Sequence, residues 1–128
     1  MLIQLVALCL HLGGPCVEIL CLGLDLLCAD FDRLLPLLPE LDMVLIMTVN
    51  PGFSGQKYMP EGAPKIAALR AEIDRRGLKV DIEVDGGIAP ATAPEVIAAG
   101  ADILVAGSAV FGAPGKDYAG AIAALRAA

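Results

Sequence analysis

Hydrophobic and polar positions alternate most cleanly just past the middle of the chain. Val80, Ile82 and Val84 fall on one side; Asp81, Glu83 and Asp85 fall on the other. This period of two predicts a strand over Val80–Val84. Met43–Val49 and Ile103–Ala106 are near-continuous apolar runs, the pattern of strands buried on both faces. One more strand is expected within Cys16–Gly23. Between the strands the period becomes helical. Ile66, Leu69 and Ile73 predict a helix over Pro64–Arg76, closed by Gly77 in the left-handed conformation. Thr92 and Glu95 have the spacing of a capping box, with Pro94 in the first turn. That helix should run to about Ala99 and end at Gly100. Asp30–Leu38 reads as a short helix capped by Asp30, with Leu34, Leu35 and Leu38 as its stripe and Pro36 either kinking it or holding it to about two turns. Asp117–Ala128 reads as a final Ala-rich helix carrying Ile122 and Leu125. There is also a faint repeat: Leu41-Asp42 precedes one strand and Ala101-Asp102 another. Regular strand–helix alternation predicts parallel strands joined by right-handed crossovers.

Composition sharpens this picture. The chain has 128 residues, enough for one domain. Hydrophobic residues make up 57% but aromatics only 4%, with no Trp. Ala, Leu, Val and Ile on this scale suit helices packed on a parallel sheet and exclude a disordered chain. A net charge of −6 argues against a nucleic-acid partner. Met1–Leu12 is apolar, but no basic residue precedes it and Gly13-Gly14-Pro15 follows. It is neither a typical signal peptide nor long enough to cross a bilayer, so no membrane partner is expected.

Residues 1–29 stand apart. All four cysteines (Cys9, Cys16, Cys21 and Cys28) lie there, and no Lys or Arg occurs before Arg33. No Cys-x-x-Cys pair exists, so free thiols in a reducing cytoplasm are expected rather than a zinc or disulfide site. Composition leaves two readings of this Leu/Cys-rich leader open. It is an ordinary buried opening segment, or it is non-native, from truncation or a misread frame. Residues 30–128 form the domain proper.

Three glycine-containing loops follow predicted strands: Asn50–Gln56, Asp85-Gly86-Gly87 and Gly107-Ser108. Parallel α/β folds bind ligands at the carboxyl ends of their strands. Backbone N–H groups in such loops can hold a phosphate without basic side chains, which reconciles an acidic chain with a phosphorylated ligand. Asp85 ends a strand beside Gly86-Gly87 and is a candidate general acid/base or metal ligand. Asp81 and Glu83 read as a polar interior layer or a solvated face, and Met47 by itself reads as core. His11, the only histidine, has no partner at ligand spacing. No Ser–His–Asp set, P-loop or dinucleotide fingerprint is present.

These residues resemble a known family. Met47-Thr48-Val49-Asn50-Pro51-Gly52-Phe53-Ser54-Gly55-Gln56, followed by Tyr58 and Lys65-Ile66, is similar to a signature of ribulose-phosphate 3-epimerases. Glu83-Val84-Asp85-Gly86-Gly87-Ile88 and Ala106-Gly107-Ser108-Ala109-Val110-Phe111 resemble that family's two later phosphate loops, in order and spacing. The resemblance implies a partial (β/α)8 TIM barrel holding about the last four β/α units. It implies interconversion of ribulose 5-phosphate and xylulose 5-phosphate, a step of the pentose phosphate pathway, through paired aspartates and a divalent metal (Zn, Fe, Mn or Co). Asp85 would be one aspartate of that pair and a metal ligand. Met47, Gly52, Phe53, Ser54, Gly55, Gly86, Gly87, Gly107 and Ser108 would hold the pentulose 5-phosphate. The chain also departs from the family. A substrate-contacting Ser, a His-x-Asp pair and a further ligand His belong to the family's early elements and have no match here. Ser54 stands where glycine is usual and Tyr58 where phenylalanine is usual. A chain with one of two acid/base groups is expected to be inactive alone and to self-associate through exposed barrel edges. The alternatives are a non-catalytic sugar-phosphate-binding half-barrel and a fragment of a hexulose-6-phosphate 3-epimerase.

Overall fold

The computed structural model describes residues 2–4, 19–22, 34–49 and 56–128. Among the described residues five strands form one parallel sheet: β1 (Leu2–Gln4), β2 (Ile19–Leu22), β3 (Met43–Met47), β4 (Asp81–Asp85) and β5 (Ile103–Val105). Their order is β1-β5-β4-β3-β2. From β2 to β5 each strand lies beside its successor in sequence, as in a β/α barrel wall. The strand expected within Cys16–Gly23 is β2. No periodicity announced β1, which pairs with β5 in the register Leu2↔Ile103. The rest of the 1–29 leader, and the Asp30 cap, lie outside the described residues.

Four α-helices lie wholly among the described residues: α1 (Gly62–Arg76), α2 (Ala93–Ala98), α3 (Gly107–Phe111) and α4 (Tyr118–Arg126). Helix α1 ends as its sequence predicts. Gly77 takes φ +65, and the amide of Leu78 donates to Ile73 O at 3.1 Å. This left-handed closure is open to glycine at little steric cost. Asp117 caps α4 by accepting from Gly120 N at 2.9 Å.

Three expectations change. Of the segment expected as a helix over Asp30–Leu38, Leu34 is helical, 35–37 form a turn at Pro36, and a 3-10 helix follows at Leu38–Glu40. Thr92 and Glu95 form no capping box, because the Thr92 hydroxyl is engaged by the preceding loop. Gly107 and Ser108 open a short helix instead of forming a loop.

The two sheet faces differ as the alternation requires. Val44, Ile46, Ile82, Val84 and Leu104 are fully buried in one cluster with Ile66, Leu69 and Ile73 of α1, Val96 of α2 and Leu125 of α4. Burying a side chain of this size contributes about 2 kcal/mol, so this face holds the layers together. The other face carries rows set by the register. Leu45, Glu83 and Ile103 form one row; Met47, Asp85 and Val105 form the next.

The amino end of β4 is tied by charge. Arg70 Nη2 donates to Asp102 Oδ2 at 2.6 Å and to Val80 O at 3.2 Å. The same Asp102 oxygen accepts from Ile82 N at 2.8 Å, and Asp102 N donates to Ile82 O at 2.9 Å. Gly100, at φ +109, lies against the Arg70 stem, where a Cβ would sit 2.6 Å from Cγ. One arginine thereby joins α1 to the starts of β4 and β5.

Candidate functional site

The carboxyl ends of β3 and β4 are built differently. Thr48 follows β3 directly and is fully buried. Its amide donates to Asp85 O at 2.8 Å, continuing the ladder one step past the strand. Its hydroxyl donates to Gly86 O at 2.6 Å. Gly86 has φ +130, and a Cβ there would lie 2.8 Å from Val49 N. Gly87 has φ +66, and a Cβ there would overlap the Tyr58 backbone. Only glycine meets both demands at these two positions.

The turn is closed at its far side by Thr92. Its hydroxyl donates to Gly87 O at 2.9 Å and accepts from Ala89 N at 2.9 Å. Beyond the turn lies an open cleft of about 470 Å³, lined by Gln56, Lys57, Tyr58, Gly87, Ile88 and Ser108 among others. The Tyr58 hydroxyl is buried and has no hydrogen-bond partner among the described residues. Burial first, and then the Glu95 charge, raise its pKa to about 12. It is a neutral phenol at any physiological pH.

Asp85 sits at the end of β4, between Met47 and Val105 on the neighbouring strands. Burial raises its pKa above the ordinary carboxylate value. Glu83, one row below, is raised first by burial and then by the negative charge of Asp85. Flanking hydrocarbon cannot solvate a carboxylate, so both protons are held more tightly, and at Glu83 the neighbouring Asp85 charge adds to the effect.

Of the residues singled out from sequence, Met47, Asp85, Gly86 and Gly87 therefore meet at adjoining strand ends. Gly87 and Ser108 share the cleft; Asp85 is not among its walls. Gly52, Phe53, Ser54 and Gly55 lie outside the described residues. Sequence reasoning missed the roles of Thr48 and Thr92. A threonine inside the apolar run Met43–Val49 was the available signal for the first.

A metal is tested by its donor set. Among the described residues no three His, Cys, Asp or Glu side chains come close enough to hold an ion. Asp85 and Glu83 are two carboxylates at successive levels of one strand, which is short of the shell that a divalent cation needs. The described residues do not fit a metal by themselves. Among them, too, no helix is long and apolar enough to cross a membrane.

Parallel strands alternating with helices, a carboxylate at one strand end and a glycine turn beside it define part of a β/α-barrel enzyme scaffold. Comparison with known proteins then names the family. The ribulose-phosphate 3 epimerase family matches residues 26–111. The chain is 57% identical over 89 residues to ribulose-phosphate 3-epimerase of Synechocystis, covering 70% of this chain and 38% of the relative. It is 54% identical over 90 residues to the chloroplastic ribulose-5-phosphate-3-epimerase of Arabidopsis thaliana, covering 70% and 31%. It is 57% identical over 74 residues to the Bacillus subtilis ribulose-phosphate 3-epimerase, covering 57% and 34%. The chain belongs to the ribulose-phosphate 3-epimerase family. It spans under two fifths of the length of each of these three relatives.

Proposed function

We propose that this chain is part of an epimerase that interconverts D-ribulose 5-phosphate and D-xylulose 5-phosphate. In this reading Asp85 is one of two acid/base groups acting at C3. The observation that carries it is the placement of Asp85: at a strand's carboxyl end, between two apolar neighbours, with its pKa raised by burial. A carboxylic acid shifted upward holds and returns a proton more readily near neutrality. Met47 would pack against the reacting carbons. Gly86, Gly87, Gly107 and Ser108, with Gly52, Phe53, Ser54 and Gly55, would hold the substrate and its phosphate by backbone amides and short side chains. Of the metal ligands that the resemblance implies for Zn, Fe, Mn or Co, this chain offers Asp85. A cytoplasmic setting and self-association belong to the same reading. Among the described residues β1 and β2 each pair on one side only, and such edges invite further pairing.

The 128 residues contain one histidine, His11, and no His-x-Asp pair. The chain alone should therefore bind ribulose 5-phosphate without turning it over. Incubation with ribulose 5-phosphate and Mn or Zn, with xylulose 5-phosphate as the product assayed, tests this. Turnover above background overturns the expected inactivity, and absence of any binding overturns the substrate assignment. A second reading, a sugar-phosphate-binding half-barrel without chemistry, is favoured by the cleft, whose walls do not include Asp85. Affinity unchanged by Asp85→Asn would select it.

A further inference from the structure

We propose that Thr48 and Thr92 are positioning residues that aim the amides of Gly87 and Ile88 into the cleft. The inference rests on the phosphate-holding reading of the Gly86-Gly87 turn and adds how that turn is held.

The argument is one of peptide geometry. A trans peptide is planar, and its C=O and N–H point in opposite directions. The Thr48 hydroxyl donates to Gly86 O at 2.6 Å, which fixes the peptide plane between Gly86 and Gly87. The N–H of that plane belongs to Gly87 and points away from Thr48. The Thr92 hydroxyl donates to Gly87 O at 2.9 Å, the shorter of its two carbonyl contacts beside Ala89 O at 3.2 Å, and this restrains the next plane. The N–H of that plane belongs to Ile88 and points away from Thr92. Gly87 and Ile88 line the cleft, and Thr92 stands on the same wall, so its hydroxyl holds the turn from within that wall. Among the described residues neither amide finds an acceptor.

The two hydroxyls are themselves anchored. Thr48 is fully buried, and its amide and carbonyl are taken by Asp85 O and Met59 N at 2.8 and 2.9 Å. Thr92 accepts from Ala89 N at 2.9 Å, so its hydroxyl proton is directed onward to a carbonyl. A glycine pair is the least constrained backbone available. Left alone it would sample many orientations, and each amide would lose part of its time in the cleft. Two neutral donors remove that freedom without adding a charge beside Asp85.

The test uses the full chain, inorganic phosphate as probe, and the variants Thr48→Val, Thr48→Ser, Thr92→Val and Thr92→Ser. Valine keeps the shape and removes the donor; serine keeps the donor. Phosphate affinity is read by amide NMR titration, and N–H orientation by residual dipolar couplings at Gly87 and Ile88. Each valine variant should weaken phosphate about tenfold, the size of one lost hydrogen bond. Each serine variant should recover most of that loss. Thr48→Val should change the Gly87 coupling and Thr92→Val the Ile88 coupling. A valine variant that melts earlier yet keeps wild-type affinity and couplings makes the threonine merely structural and overturns the proposal. If the wild-type chain binds no phosphate, the phosphate reading fails, while the couplings still decide whether the threonines orient the amides. If Thr48→Val does not fold, the Thr92 pair decides.

Discussion

The two ends of β4 are both fastened to their neighbours, but by opposite chemistry. At the amino end a guanidinium and a carboxylate meet at 2.6 Å and take up the backbone groups of Val80 and Ile82. At the carboxyl end the fasteners are two threonine hydroxyls and two close glycine contacts. Charge is satisfied where the strand is merely held. Charge is left unsatisfied where Asp85 stands, since among the described residues neither Asp85 nor Glu83 makes an ion pair. An arginine tie at that end would fasten the turn equally well, but it would pull the Asp85 pKa down. Neutral tethers hold the backbone and leave the acid's proton alone.

Four substitutions break or sharpen this contrast. Gly87→Ala should have the largest effect, because a Cβ would meet the Tyr58 backbone at a left-handed φ. A cost of about 3 kcal/mol in urea unfolding is expected, with loss of phosphate binding. Asp102→Ala strips the amino-end tie and leaves Ile82 N and Arg70 without their shared acceptor. It should cost about 2 kcal/mol yet leave phosphate affinity of the folded chain unchanged. Equal damage to binding from this variant would erase the distinction between the two ends. Gly77→Ala, where nothing crowds the Cβ but φ is +65, should cost about 1 kcal/mol and serves as a measure of φ strain alone.

Asp85→Asn should have the smallest effect and the opposite sign. An acid whose pKa is raised in the fold binds its proton more tightly folded than unfolded. The penalty is absent below the unfolded pKa and sets in as pH rises through the folded one. The asparagine variant should therefore melt a few degrees higher than wild type at about pH 7, with the gap closing toward about pH 3. A lower melting temperature at neutral pH would mean that the Asp85 charge is stabilised by its surroundings.

Much of this was legible in the sequence, and the rest has physical reasons. Strands β3, β4 and β5, the long helix and its Gly77 closure follow from period and punctuation, because burial of one face enforces both. Two of the three changed expectations concern hydroxyl and glycine residues with more than one local use. Thr92 three residues before Glu95 has capping spacing, but its hydroxyl engages Gly87 O and Ala89 N instead. Gly107 and Ser108 suit a loop by composition, yet they start α3. Strand β1 was illegible because three residues carry no period, and its partner lies at the other end of the chain. Asp85 stood out from sequence alone, as the carboxylate at a strand end beside paired glycines. The Arg70–Asp102 tie did not, although the repeated Asp before each strand marked one half of it.

The pairing of β1 with β5 also fixes an order in time. Strands β3, β4 and β5 each find a neighbour in the segment made just before them. Leu2 must wait for Ile103, about 100 residues later. On a ribosome β1 therefore cannot take its place beside β5 until residue 105 has been made. A chain stalled in synthesis before β5 would hold β1 without the partner it has in the finished sheet for the whole delay.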